Sequence, residues 1–388
     1  SDIFFDFNNS FNVIKDNYKL KNYIIEGSQA DALWQKNMIN STAAEVGMSG
    51  TDTINKMCEL FPQITCRAKQ KYTKDDFEAF ILTYNRKEFL QEALKSLLNQ
   101  TIGDLKITVM DNGSTDGTDV VMQELAQKYP NVFYHRRDKN GKQIENFIDA
   151  VMLVEKEYAI FFHDDDILHP DYFKYALMAV NKYPKVSIIS SSYKEFGNPT
   201  NENWKNAGGR CSYLSSKDDF ASYLYYVQRY AYSSTIYRTL NLKKHISNIE
   251  AYSKFGKIGD KPFVIDSMYS DDCAVILRSK KFLRYRVHPG QDTQSSGPYY
   301  DEIIEYNKYY KQFMYKTLKH RILYNLINYK QLKNAYIWGG DNSLSLNEFV
   351  KKAINEGAGC FWTKLCVSPC GKLFINIAYL VRKFVRNI

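Results

Sequence analysis

Several things are missing from these 388 residues, and each absence excludes a class of protein. No apolar run reaches the roughly 18 residues that a membrane-spanning helix needs. The start carries no secretory pattern of basic residues followed by an apolar stretch, so a cytoplasmic chain is expected. No Lys/Arg cluster is interleaved with stacking aromatics in a nucleic-acid motif, which argues against nucleic acid as a partner. The seven cysteines are Cys58, Cys66, Cys211, Cys273, Cys360, Cys366 and Cys370. Their number is odd, no CxxC pair occurs, and the spacing from Cys360 to Cys366 to Cys370 fits no usual zinc site. Reduced, buried thiols are the expectation.

What is present describes an ordinary globular chain with a mild bias. Hydrophobic residues make up 44% and charged residues 24%. The net charge of +9 is compatible with anionic ligands or anionic lipid. Tyrosine is abundant, at 31 residues. Aromatic faces suit sugar binding, but core packing or genome composition would produce the same count.

From about Glu78 the chain alternates short apolar runs with amphipathic helices. The runs are Ala79–Leu82, Leu105–Met110, Val132–Tyr134 and Tyr158–Phe162. A helix over Glu88–Asn99 carries Phe89, Leu90, Ala93, Leu94, Leu97 and Leu98 on one side. Further helices are expected over about 119–128, 143–154 and 171–183, and a fifth strand over Val186–Ser190. Residues 192–212 read as a mobile loop, Tyr232–Tyr237 as a short strand beside an acceptor groove, and 299–329 as one long helix. Alternation with short connections predicts an α/β fold with a mainly parallel sheet sandwiched by helices. Ligands then bind at the carboxyl ends of the strands. The segment 1–75 is expected to be a helical extension, with helices over Ala32–Val46 and before Pro62.

The centre of the pattern is Tyr158–Pro170, where a buried strand runs into Asp164, Asp165 and Asp166. Two like charges ~5 Å apart repel by roughly 3 kcal/mol at an effective dielectric near 20. Either their pKa values rise or a divalent cation sits among them. Oxygen ligands suit Mg²⁺ or Mn²⁺. A solvated turn whose aspartates cap a helix is the plainer alternative. Thr83–Arg86, Asp111 and Asp164–Asp166 all end strands, so polar groups from three strands converge on one rim.

These pieces resemble the family 2 glycosyltransferases of GT-A fold. The matching stretches, in order, are FILTYNR from Phe80 to Arg86, DNGSTDGT from Asp111 to Thr118 and NG…N at Asn140, Gly141 and Asn146. They continue with FFHDDDILHPDY from Phe161 to Tyr172, GDKPF from Gly259 to Phe263 and YRVHPGQDT from Tyr285 to Thr293. The resemblance covers about residues 78–300 and gives a glycosyltransferase domain over 76–298. It implies an inverting, metal-dependent transfer of a sugar from a nucleotide-sugar donor, most often UDP-linked, to a glycan or lipid-linked acceptor. It also implies that Asp111 accepts a hydrogen bond from the base, while Thr83, Tyr84 and Arg86 border base and phosphates. Asp164 would lie near the ribose, with Asp165 and Asp166 at the metal. Asp260 matches the general base, with Asp266, Asp271 and Asp272 as rivals. His288 would ligate the metal or touch phosphate, and Arg286 would pair with phosphate. Many members carry Asp where this chain has His163, which reads as a structural neighbour of the acids.

Beyond the resemblance, 299–388 reads as a helical C-terminal region, with a capped helix over 343–356. Leu373, Phe374, Ile377, Ala378, Val381, Phe384 and Val385 form one stripe flanked by Lys372, Arg382, Lys383 and Arg386. Such a helix over 371–388 can lie in a membrane interface or pack on this protein or a second copy of it. Two other functions keep the fold. A non-catalytic nucleotide-sugar or carbohydrate-binding module needs no base, and a sugar nucleotidyltransferase wants a Gly-rich phosphate loop where TYNR stands.

Overall fold

The structure, a computed structural model, describes residues 4–6, 10–12 and 72–377 with short breaks. The chain divides into two units, Ser1–Thr73 and Lys74–Ile388. In the first, β1 (Phe4–Asp6) pairs antiparallel with β2 (Ser10–Asn12). The helices expected at 32–46 and before Pro62 lie outside the described residues, as does most of the expected terminal helix over 371–388.

In the second unit the four apolar runs become β3 (Phe77–Thr83), β4 (Lys106–Asp111), β5 (Val132–Arg136) and β6 (Tyr158–His163). Their connections are α1 (Lys87–Leu98), α2 (Thr118–Lys128) and α3 (Gln143–Leu153). All four strands run parallel, with Thr83 opposite Asp111 and Leu82 opposite His163. That register puts the polar residues that follow each strand on one rim. Phe80 and Phe161 stack at 5.5 Å on one face of the sheet, both buried. Each such ring removed from water contributes about 2–3 kcal/mol. The turn after β4 needs its glycine: Gly113 has φ +81, and a Cβ there would lie 2.6 Å from the Lys139 carbonyl carbon.

The rest of the sheet departs from parallel. After α4 (Tyr172–Lys182) comes β8 (Val186–Ser191). Antiparallel β11 (Ile236–Arg238) lies between β6 and β8. β12 (Cys273–Leu277) then pairs parallel with β8, and β10 (Cys211–Leu214) closes the edge antiparallel. The order is β10-β12-β8-β11-β6-β3-β4-β5. A second sheet joins β7 (Ile167–Leu168), β13 (Leu283–Arg286) and β9 (Tyr193–Phe196), with β13 in the middle. The stretch expected as a loop over 192–212 therefore holds two strands. Both are short and half-exposed, and their partners β13 and β12 lie far along the chain, so no local apolar run marks them.

Helices α5 (Lys217–Tyr226), α6 (Thr239–Ile246) and α7 (Asp260–Asp266) pack beside β11 and β12. The single helix expected over 299–329 is two, α8 (Tyr300–Met314) and α9 (Leu318–Trp338). Thr317 makes the break, its hydroxyl accepting the His320 amide at 3.1 Å as a new helix cap. α10 (Leu346–Asn355) begins at the expected place, where Ser345 and Glu348 form a capping box, and α11 (Phe361–Cys366) follows. One apolar cluster joins Phe80, Phe161, Ile188 and Phe263 to Tyr310, Phe313, Tyr324 and Ile327. The C-terminal helices thus share the core of the sheet.

Candidate active site

The carboxyl ends of β3, β4 and β6 border a cavity of about 340 Å³. Its walls include Thr83, Tyr84, Arg86, Asn112, Asn140, Asn146, Asp164, Asp165 and Tyr285. Tyr84, which lines the cavity, is 40% exposed. A larger hollow of about 700 Å³ lies at the opposite ends of the strands, around Lys74, Phe77, Lys106 and Phe133. Lys106 there is paired with Glu155 at 2.6 Å, and no acid turn is near it.

Asp111 is fully buried. Its Oδ1 accepts from the Ser114 amide (2.8 Å) and hydroxyl (2.6 Å), and its Oδ2 accepts from the Tyr134 hydroxyl (2.6 Å). Those partners hold the carboxylate, and the neighbouring Asn112 lines the cavity. Asn112 in turn donates to Asn140 Oδ1 (2.9 Å) and to the Gly141 carbonyl (2.8 Å). Asn146 donates to the Met110 carbonyl (2.9 Å), while its buried Oδ1 has no partner. Such an orphan acceptor on a cavity wall suits a ligand N–H or O–H. Sequence reasoning matched Asn146 to a motif without giving it a role.

The three aspartates form the turn between β6 and β7, and each meets a different partner. Asp164 accepts from the Thr83 hydroxyl (2.7 Å) and from Arg86 Nη1 (3.1 Å). The same Arg86 nitrogen is 3.1 Å from Asp165 Oδ2, as is His288 Nε2. Asp166 Oδ1 accepts the Arg286 amide (2.9 Å), and its Oδ2, wholly buried, has no hydrogen-bond partner. The nearby Ser233 hydroxyl instead holds the His163 amide at 3.2 Å. Burial pushes both Asp164 and Asp166 up. For Asp166 the Asp165 charge adds to burial and His163 opposes it, leaving the carboxyl at about 7.

Arg286 does not reach the cavity as the sequence suggested. It is 2% exposed, with its guanidinium carbon 4.5 Å from the Phe89 ring centre and 4.6 Å from that of Phe196. Its Nε donates to the Asp165 carbonyl (2.7 Å) and its Nη2 to Glu92 (2.6 Å). This arginine holds the acid turn from behind instead of pairing with phosphate. Phe89 also packs on the His288 ring at 5.1 Å, so α1 supports both residues.

Asp260 opens α7, directly after Gly259. Its side chain is open to solvent, yet it is set deep enough among protein atoms that burial raises its pKa, opposed by His163 and Lys261. The three rivals have other duties. Asp266 accepts from Tyr252 (2.9 Å) and pairs with Lys217 (2.8 Å). Asp271 pairs with Lys185 on the surface. Asp272 is buried and ties a turn by accepting the Tyr269 amide at 2.9 Å.

The donor set fits a divalent cation. Ligand atoms of His163, Asp165 and Asp166 lie within 4.8 Å of one another. The Asp166 oxygen left without a partner is what such an ion would satisfy. His163, set aside on sequence as a neighbour, stands inside this group, and only the fold shows it.

A parallel strand rim that ends in an acid turn is the arrangement of a GT-A domain. Residues 79–243 match the family model "Glycosyl transferase family 2", and the chain carries a domain of that family. An abequosyltransferase of Salmonella typhimurium is 38% identical over 94 residues, which cover 24% of this chain and 28% of that protein. A Campylobacter jejuni β-1,3-glucosyltransferase, named for GalNAc(5)-diNAcBac-PP-undecaprenol, is 34% identical over 91 residues, covering 22% of this chain and 28% of that one. The matched stretches thus span less than a third of these relatives. Among solved structures, S. aureus TarS 1–349 in complex with UDP-GlcNAc superposes with a TM-score of 0.51 at 17% identity, covering 80% of this chain and 91% of that one. That likeness shows the fold.

Proposed function

We propose that the protein is a metal-dependent, inverting glycosyltransferase that moves a sugar from a nucleoside-diphosphate donor, with uridine the favoured base, to a hydroxyl of a glycan or lipid-linked acceptor. The observation that carries this is the acid turn: ligand atoms of His163, Asp165 and Asp166 lie within 4.8 Å of one another at the end of β6, beside the cavity that Thr83, Arg86 and Asn112 line, and Asp260, whose carboxyl burial pushes up, is assigned as the base. The names of the relatives, which transfer abequose and glucose, and the UDP-GlcNAc bound by TarS support the reading.

In the reaction the acceptor oxygen attacks the anomeric carbon, and the bond from that carbon to the diphosphate breaks with its electron pair on the leaving oxygen. Asp260 takes the acceptor proton, and burial, by raising its pKa, makes it a stronger base. Tyr84 and the Asn112–Asn140–Asn146 wall bind the nucleoside, and Arg86 faces the diphosphate. Asp165 and Asp166, with His163 or His288, would hold a divalent cation, whose charge would offset that on the leaving diphosphate. A binding-only module has no use for the open carboxylate.

We further place the protein at the inner face of the cytoplasmic membrane, held through 371–388. No helix among the described residues is long and apolar enough to cross a membrane. Liposome flotation of a chain ending at Cys370 tests this, and undiminished flotation refutes it. For the activity, a panel of nucleotide sugars is screened with Mn²⁺ for nucleotide release. Turnover of at least one UDP-sugar, lost in Asp165→Ala, is expected; no turnover and no thermal shift with any donor refutes the reading.

A further inference from the structure

We propose that Arg86 is an internal counter-ion of the acid turn, which hands Asp165 to the divalent cation only when a nucleoside diphosphate arrives to take the guanidinium. This inference rests on the glycosyltransferase reading above and adds a coupling between its two ligands.

Arg86 Nη1 stands 3.1 Å from Asp164 Oδ1 and 3.1 Å from Asp165 Oδ2. His288 Nε2 approaches that same Asp165 oxygen at 3.1 Å. Asp165 also belongs to the group, with His163 and Asp166, whose ligand atoms can meet at one ion. The carboxylate a cation needs is therefore one already neutralised by a guanidinium. Arginine does not shed its proton in proteins, so the conflict between the two positive charges cannot be removed by titration.

The two arginines at the turn differ in their surroundings. Arg286 is locked between Phe89 and Phe196 and bonded to Glu92. Arg86 has a side chain 31% exposed and lines the cavity that also holds Tyr84 and Asn140. A phosphate entering that cavity would meet its guanidinium, which binds phosphate in a bidentate fork. Asp166 Oδ2, buried and without a partner, supplies an independent sign that the turn is built for one more cation. Arg86 and the ion therefore oppose each other in the nucleotide-free protein and support each other once a diphosphate lies between them.

Titration calorimetry with Mn²⁺, alone and with saturating UDP, tests this on the wild type, Arg86→Met and Arg86→Lys. In the wild type, UDP should tighten Mn²⁺ binding by about tenfold or more. Arg86→Met should bind Mn²⁺ alone at least about threefold more tightly than the wild type, yet bind UDP with Mn²⁺ about tenfold more weakly. Arg86→Lys keeps the charge and guards against misfolding; its Mn²⁺ affinity without UDP should stay near the wild-type value. If Arg86→Met binds Mn²⁺ alone no more tightly than the wild type while UDP and Mn²⁺ still bind, the counter-ion role is overturned and the glycosyltransferase reading stands. A wild type that binds neither ligand overturns both.

Discussion

The acid turn and the Asp260 segment are built by different means. On the β3–β4–β6 side, the polar groups at the site follow directly on strand ends, and parallel register alone brings them together. On the Asp260 side, support comes from far along the chain. Tyr309 on α8 donates to the Pro262 carbonyl at 3.2 Å across 47 residues, and its ring packs on Phe255 at 5.6 Å. Gly256, with φ +49, lies so close to Glu302 of α8 that a Cβ would collide with the carboxylate. One side is written as short motifs. The other is a ledge that a later helix holds in place.

The largest effect that would test this division comes from Asp260→Asn. Transfer should fall by about 10²–10⁴, while UDP affinity, measured by calorimetry, stays within about twofold because the nucleotide belongs to the other side. A parallel loss of UDP binding would break the comparison. Next is Phe255→Ala, which empties a fully buried site under the Asp260 segment. A loss of about 3–5 kcal/mol is expected in denaturant unfolding, and a loss below about 1 kcal/mol would mean that the ledge does not depend on α8. Tyr309→Phe sharpens the point, since it removes one hydrogen bond and leaves the ring. It should cost about 1 kcal/mol and lower kcat more than it changes the donor KM.

The smallest effect concerns pH. Asp166 is raised from 3.8 to about 7, so across that interval the folded protein holds a proton the unfolded chain has released. Stability of the metal-free protein from this group therefore falls as pH rises from about 4 to about 7. Asp166→Asn should flatten the decline in Tm over that window. An unchanged slope would show that the acid turn is not strained by its own charge.

Much of the donor side was readable because its signals are local. Apolar runs marked β3, β4 and β6, and three successive carboxylates marked the turn. Orientation was not readable. Nothing near Asp111 announced that Ser114 and Tyr134 would satisfy it, since Tyr134 belongs to another strand. Nothing near Arg286 showed that two phenylalanines from separate elements would enclose it. Asp260 could be named from its motif, while nothing local announced the partners of Asp266, Asp271 and Asp272, which are Tyr252, Lys185 and the Tyr269 amide. The tyrosines show the same limit. Their count suggested sugar faces or packing, yet many serve as long-range ties: Tyr158 to the Val186 carbonyl, Tyr225 to Asn307 and Tyr324 to the Ala358 carbonyl.

The small sheet of β7, β13 and β9 sets an order on how the molecule is completed during synthesis. Asp165 leaves the ribosome 123 residues ahead of His288, and Asp166 leaves 120 ahead of the Arg286 amide that steadies it. The nucleotide-facing rim can assemble early, with its acid turn still lacking the segment that braces it. β13 then enters between β7 and β9 and brings His288 and the Arg286 amide to the turn, so a chain halted before residue 283 would lack that brace.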